Sequence, residues 1–242
     1  MTPNIFNPYR YVIPFAPTDI SDLIAWYNSS EGVTSAGDPA LVSQWNNFEG
    51  TSGRDLVQAT ASDQPTFLTD GGSTSGKPAV DFTGGSLMRI DFGESFDQPY
   101  TICSACYFPA NDPTQRILFD GGETGATPGS LRACFGKEDS DNNWRARTDA
   151  NFTFSKTGIT GTWGYVVVMF DGASSYVRMN GVSVATGDAG NTAFQPLTMA
   201  QFIDGNWEQS WNEPIMHLIL YDKELSADEL TSIESWLSGQ VG

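Results

Sequence analysis

The stretch MHLILYDKELSADELTSIESWL (Met216–Leu237) places the chain's one histidine beside Asp222, Glu224, Asp228, Glu229 and Glu234. Such groups move protons when they converge on a cleft. The spacing here argues for another use. Alternation along MHLILY puts Met216, Leu218 and Leu220 on one face of a strand and His217, Ile219 and Tyr221 on the other. No G-x-S-x-G turn offers His217 a nucleophile, and no second histidine lets it share a metal, so it reads as a structural side chain. Ser226 and Glu229 have the spacing of a capping box, with Leu225 and Leu230 as the hydrophobic staple. Asp228 and Glu229 complement the positive end of the helix dipole. Leu230, Ile233 and Leu237 form an apolar stripe with Trp236 beside it, and Gly239 is the expected stop. The acids thus serve a helix, and the sequence nominates no catalytic residue.

Other stretches imitate chemical motifs. GGSTSGKP (Gly71–Pro78) nearly spells a P-loop. Pro78 replaces the hydroxyl that would hold magnesium, and a strand-like AVDF follows where a helix is needed, so a glycine-serine turn is expected. DSDNNW places Asp139, Asp141 and Asn143 at the first three ligand positions of an EF-hand loop. Trp144 stands at the required glycine and Ala150 at the bidentate glutamate. Calcium on Asp139 and Asp141 is therefore a possible alternative to a solvated acidic turn, and no other cofactor is implied. Cys103 and Cys106 spell C-x-x-C, but on a strand residues three apart point to opposite faces; buried thiols are expected. Glycoside hydrolysis wants two carboxylates about 5–10 Å apart, for which Glu208 and Glu213 in NWEQSWNE are candidates. Their flanking tryptophans suit binding better than turnover, since a flat apolar sugar face stacks on indole. Trp144, Trp207, Trp211 and Glu208 are the candidate glycan contacts, or else turn residues around a core tryptophan.

The elements that would position these groups are strands. DLIAWYN, ALVSQWNN, KPAVDFTG, SLMRIDF, YTICSACYF and RILFDGG are short apolar or alternating segments. WGYVVVMFDGASSYVRMNGVSVATG reads as three strands in succession, with Asn180-Gly181 marking a type I′ hairpin. PLTMAQFI and IMHLILYD add two more. One helix against many strands predicts an all-β sandwich or jelly roll. The 12 Lys+Arg against 29 Asp+Glu give a net charge of −17, which repels nucleic acid and anionic lipid. No apolar run reaches the roughly 18 residues of a membrane span. The opening shows no basic, apolar leader pattern. Residues 1–17 hold four prolines and four aromatics. They read either as an extended arm that docks on a partner or as a strand padding its own domain, residues 18–242.

Over about residues 20–238 the chain resembles the concanavalin A-like (laminin G-like) jelly-roll superfamily. DLIAWYNSSEG with VSQWNNFEG, GKPAVDFTGGSLMRIDF, WGYVVVMFDGASSYVRMNGVSV and EPIMHLILYDKELSADELTSIESWL look like its successive strands and closing helix. The resemblance implies a concanavalin A-like β-sandwich with one short C-terminal helix. It does not imply a reaction: glucanases of the superfamily alternate their acids along one strand, and no strand here does. NPYRYV resembles the opening of some tailed-phage virion proteins. Together these imply a non-enzymatic virion component: a capsid decoration, head fibre or tail-associated protein. Phe6, Tyr9, Arg10, Tyr11 and Phe15 would hold it on other virion proteins, such as a major capsid protein, and a homo-oligomer is compatible. The alternative is an extracellular carbohydrate-binding module; a hydrolase or lyase comes third.

Overall fold

The computed structural model describes residues 14–35, 40–48, 53–111, 114–121, 133–138, 142–201 and 210–242. Two nine-stranded sheets face each other. The first runs in the order β16 (Val182–Gly187), β15 (Ser175–Met179), β14 (Thr162–Phe170), β9 (Tyr100–Phe108), β18 (Pro214–Tyr221), β7 (Ala79–Asp81), β6 (Thr66–Leu68) and β3 (Ala40–Leu41), with β1 (Leu23–Asn28) also on β18. The second runs β13 (Asn151–Ser155), β12 (Asn143–Arg147), β11 (Cys134–Lys137), β10 (Arg116–Asp120), β17 (Phe194–Met199), β8 (Met88–Phe96), β5 (Leu56–Val57), β4 (Gln44–Trp45) and β2 (Val33–Thr34). The described ladders are antiparallel. This is the concanavalin A-like sandwich that the sequence predicts.

Period-two patterning builds the layers. In the second sheet Met88, Met199, Phe119, Phe135, Ala146 and Phe152 stand opposite one another and all enter the core between the sheets. In the first sheet Ile102, Cys106, Val166, Val168, Leu218 and Leu220 enter the same core. Their neighbours Cys103, Ala105, Val167, Ile219 and Tyr221 point the other way, into a second apolar layer beneath α1 (Ala227–Val241). The sandwich therefore has a helix on one side. At the Asn180-Gly181 turn, φ of 49° and 76° supplies the left-handed pair that a type I′ hairpin requires.

The structure departs from the sequence reading at three places. ALVSQWNN is two strands, β3 and β4, in different sheets. KPAVDFTG and SLMRIDF are β7 and β8 as expected; they lie in different sheets, with Gly84-Gly85 at the crossing between them. Met216 does not share a face with Leu218: the register shifts between Ile215 and His217, so Met216 joins the layer under the helix. This is a β-bulge, where β18 passes from pairing with β7 to pairing with β1. Finally, α1 runs through Gly239 to Val241. The near-P-loop explains why. Ser75 Oγ donates to Gln240 O at 2.6 Å, Thr74 Oγ1 to Val241 O at 3.5 Å, and Lys77 Nζ to Gly239 O at 3.3 Å. A turn from elsewhere in the chain thus supplies donors and a cation to the end of a helix whose own last turn carries no basic residue.

Candidate functional site

The helix-covered side is sealed. Ser226 Oγ accepts from Glu229 N, and Glu229 Oε2 accepts from Ser226 N, the reciprocal box expected from the sequence. Lys223 donates to Glu229 at 2.7 Å, and this bond chiefly holds the Glu229 carboxyl below its ordinary range. Arg178 reaches from β15 to grip Glu234 of the helix at 2.8 and 2.9 Å. His217 is 2% exposed, with its ring 4.8 Å from that of Trp236 and 6.4 Å from that of Trp26. Its Nε2 lies 3.3 Å from Gln240 Oε1, which also accepts from Lys77 Nζ. Burial holds the imidazole at about 3, so it is neutral at physiological pH. Cys103, Cys106 and Cys134 are free and buried, and burial raises the Cys103 and Cys106 thiols. Cys103 faces the helix and Cys106 the sandwich core, as strand geometry requires.

The N-terminal segment joins this side. Phe15 packs against the layer under α1, Pro17 is buried, and Tyr221 Oη donates to Pro17 O at 3.0 Å. Pro14 and Phe15 meet Thr231, Ser232, Ser235 and Trp236 around a groove of ≈460 Å³.

The outer face of the second sheet has opposite chemistry. Antiparallel register aligns one row across eight strands: Thr34, Gln44, Val57, Arg89, Thr198, Asp120, Cys134 and Arg147. Partners opposite in register share a face, and the adjacent row enters the core, so this row points outward. Arg145, two residues from Arg147, lies on the same face and pairs with Glu138 at 3.0 Å. Val57 is 48% exposed and Arg89 is open to solvent. The middle of the row is closed: Thr198, Asp120 and Cys134 are all 0% exposed. Thr198 Oγ1 makes no hydrogen bond, and Gln201, also 0% exposed, leaves both amide atoms without one. Atoms of the same kind occur in the core, at Trp45, Trp144 and Trp211 Nε1, and on the helix side, at His217 Nδ1 and Tyr176 Oη, so they distinguish no one face.

The sequence-predicted contacts fall elsewhere. Trp144 and Trp211 are 0% exposed, with ring centroids 6.5 Å apart in the core. Neither indole presents a face to a sugar, which corrects their reading as glycan contacts. Trp207 and Glu208 lie outside the described residues, as do Asp139, Asp141, Phe6, Tyr9, Arg10 and Tyr11. Glu213 sits half-buried just before β18. Among the described residues no three His, Cys, Asp or Glu side chains group to hold a metal. No described helix is long and apolar enough to cross a membrane.

Residues 82–231, more than half of the chain, match the family model of the concanavalin A-like lectin/glucanases superfamily. The chain belongs to that superfamily, whose name spans binding proteins and enzymes. Among solved structures it is similar to domain 4 of AbnA, a GH43 extracellular arabinanase from Geobacillus stearothermophilus, in complex with arabinotriose. The TM-score is 0.61 at 15% identity, covering 88% of this chain and 98% of that one. It is also similar to Trypanosoma rangeli sialidase in complex with sialic acid, at a TM-score of 0.61 and 12% identity over 91% of this chain. It spans only 35% of the sialidase. At these identities the likeness is one of fold. No curated protein matches the chain in sequence.

Proposed function

We propose that the protein is a non-catalytic, glycan-binding component of a bacteriophage virion, held by its N-terminal segment and presenting the second sheet outward. The observation that carries this reading is the placement of two features on opposite sides of the sandwich. Phe15 and Pro17 bring the N-terminal segment to the helix side, whereas the polar row of the second sheet faces away from it. A partner gripping residues 1–13 would leave that polar face free. The sealed histidine, the buried thiols and the ion-paired acids of the helix side support binding over turnover. The fold match to an arabinanase domain solved with arabinotriose supports carbohydrate as the ligand.

Deleting residues 1–13 should abolish incorporation into particles, while the circular dichroism spectrum and glycan binding stay unchanged. Normal incorporation of the truncated chain would sink the anchoring role. A glycan array with no bound saccharide, with or without calcium, would sink the ligand.

A further inference from the structure

We infer that the free edge of β13 pairs antiparallel with β13 of a second copy of this chain, joining the second sheets of both about a two-fold axis at Thr153. The inference goes beyond the ligand and concerns how the second sheet is presented.

The edges of the two sheets are not equivalent. β2 and β3 are two residues each. β16 pairs with β15 through a register shift between Val177 and Arg178, and a bulge of this kind keeps an edge from recruiting another strand. β13 has neither protection. It ends the second sheet, pairs residue for residue with β12 over five residues, and contains no proline and no charge. Lys156 N donates to Asn142 O at 2.9 Å, so by alternation Phe154 and Phe152 also exchange hydrogen bonds with β12. The N–H and C=O of Asn151, Thr153 and Ser155 are therefore turned away from β12, toward the open edge. Among the described residues no strand takes them up.

The strand is complementary to itself. A two-fold axis at Thr153 sets Thr153 against its own copy and Asn151 against Ser155. These are the three residues with outward groups, so about six backbone hydrogen bonds close at once. Thr153 and Ser155 are exposed, and a Thr–Thr pair is favourable across a ladder. The same register puts Phe152 opposite Phe154 of the other copy. Both rings pack against the core, 5.9 Å apart within one chain, and Phe154 is only half-buried there. Just beyond the strand, Lys156 comes beside the exposed Asp149 of the other copy, once on each side of the axis. These pairs act locally against the repulsion of two chains that carry −17 each. The contact is small next to the roughly 1,600 Å² of a stable complex, so dimerisation in the micromolar range is expected. Because the axis is perpendicular to the sheet, both outer faces point one way, which makes the assembly bivalent.

Sedimentation equilibrium on the full chain at ~5–500 μM, in about 0.3 M NaCl to screen the net charge, tests this. The mass should rise with concentration toward twice the 26.2 kDa of one chain. Thr153→Glu should lower the association constant at least ~10-fold, because it sets two carboxylates face to face at the axis. In the monomer the new carboxylate stands opposite Arg145, so the melting temperature should hold. Val182→Glu puts the same charge on the exposed edge of β16 and should leave the dimer intact. Lys156→Glu lies outside the strand and should weaken the dimer several-fold; it decides the matter if Thr153→Glu unfolds the chain. A protein monomeric at every concentration would overturn the inference. So would a dimer that Thr153→Glu and Lys156→Glu leave untouched, or one that Val182→Glu dissolves equally.

Discussion

Each sheet has an inner face made of Phe, Leu, Ile, Val and Met, and the two inner faces are interchangeable in kind. The outer faces are not. That of the first sheet carries Ala105, Val167 and Ile219, and α1 covers it with Ile233 and Leu237. Its polar side chains include those that hold the helix, Arg178 with Glu234, Lys223 with Glu229 and His217 beside Gln240, while His217 Nδ1, Tyr176 Oη and Trp26 Nε1 are buried there without a hydrogen bond. The outer face of the second sheet carries Arg89, Thr198, Asp120 and Arg147 in one row, with a buried hydroxyl left unsatisfied. One face is thus built for stability. The other is open to solvent at Val57 and Arg89.

Substitutions should separate the two. The largest effect is expected on the helix side: Leu237→Ala should lower unfolding free energy by about 3 kcal/mol, the usual cost of a cavity beneath a buried leucine, without altering saccharide affinity. Chemical denaturation with parallel calorimetry reads both. A smaller effect comes from His217. Its folded form is neutral because burial holds it at about 3, against 6.5 for an ordinary histidine. The unfolded chain takes up a proton near 6.5, so this contribution is fully present above that pH and is lost as pH falls toward 3. The slope is about 1.4 kcal/mol per pH unit. His217→Gln should flatten the stability profile between pH 6.5 and 4.5, above the range where Glu229 titrates; an unchanged slope would show that the imidazole is not the group responsible. The smallest effect on stability is expected from Arg89→Gln, within about 0.5 kcal/mol, as for surface changes in general.

The sequence made one face far more legible than the other. Capping box, staple and apolar stripe are local patterns, so Ser226, Glu229, Leu225, Leu230, Ile233 and Leu237 could be assigned their places directly. The Asn180-Gly181 hairpin was local as well. Gly239 misled because the donors that extend the helix, Ser75 and Lys77, come from a turn far away in the chain. Met216 misled because a bulge breaks strict alternation. The polar row was invisible for the same reason on a larger scale: Val57, Arg89, Asp120 and Thr198 are scattered, and only the pairing of β5, β8, β17 and β10 aligns them. Tryptophan composition pointed instead to Trp144 and Trp211, whose burial shows that an aromatic beside acids can equally be core.

The division between a stabilising face and a binding face is tested most directly by a map of amide chemical shifts during titration with a saccharide taken from the glycan array. The largest changes should fall on Val57 and Arg89, the exposed residues of the second sheet's row, with Ala227–Val241 unmoved. Changes centred on α1 and Trp236 would contradict the account and assign binding to the helix side.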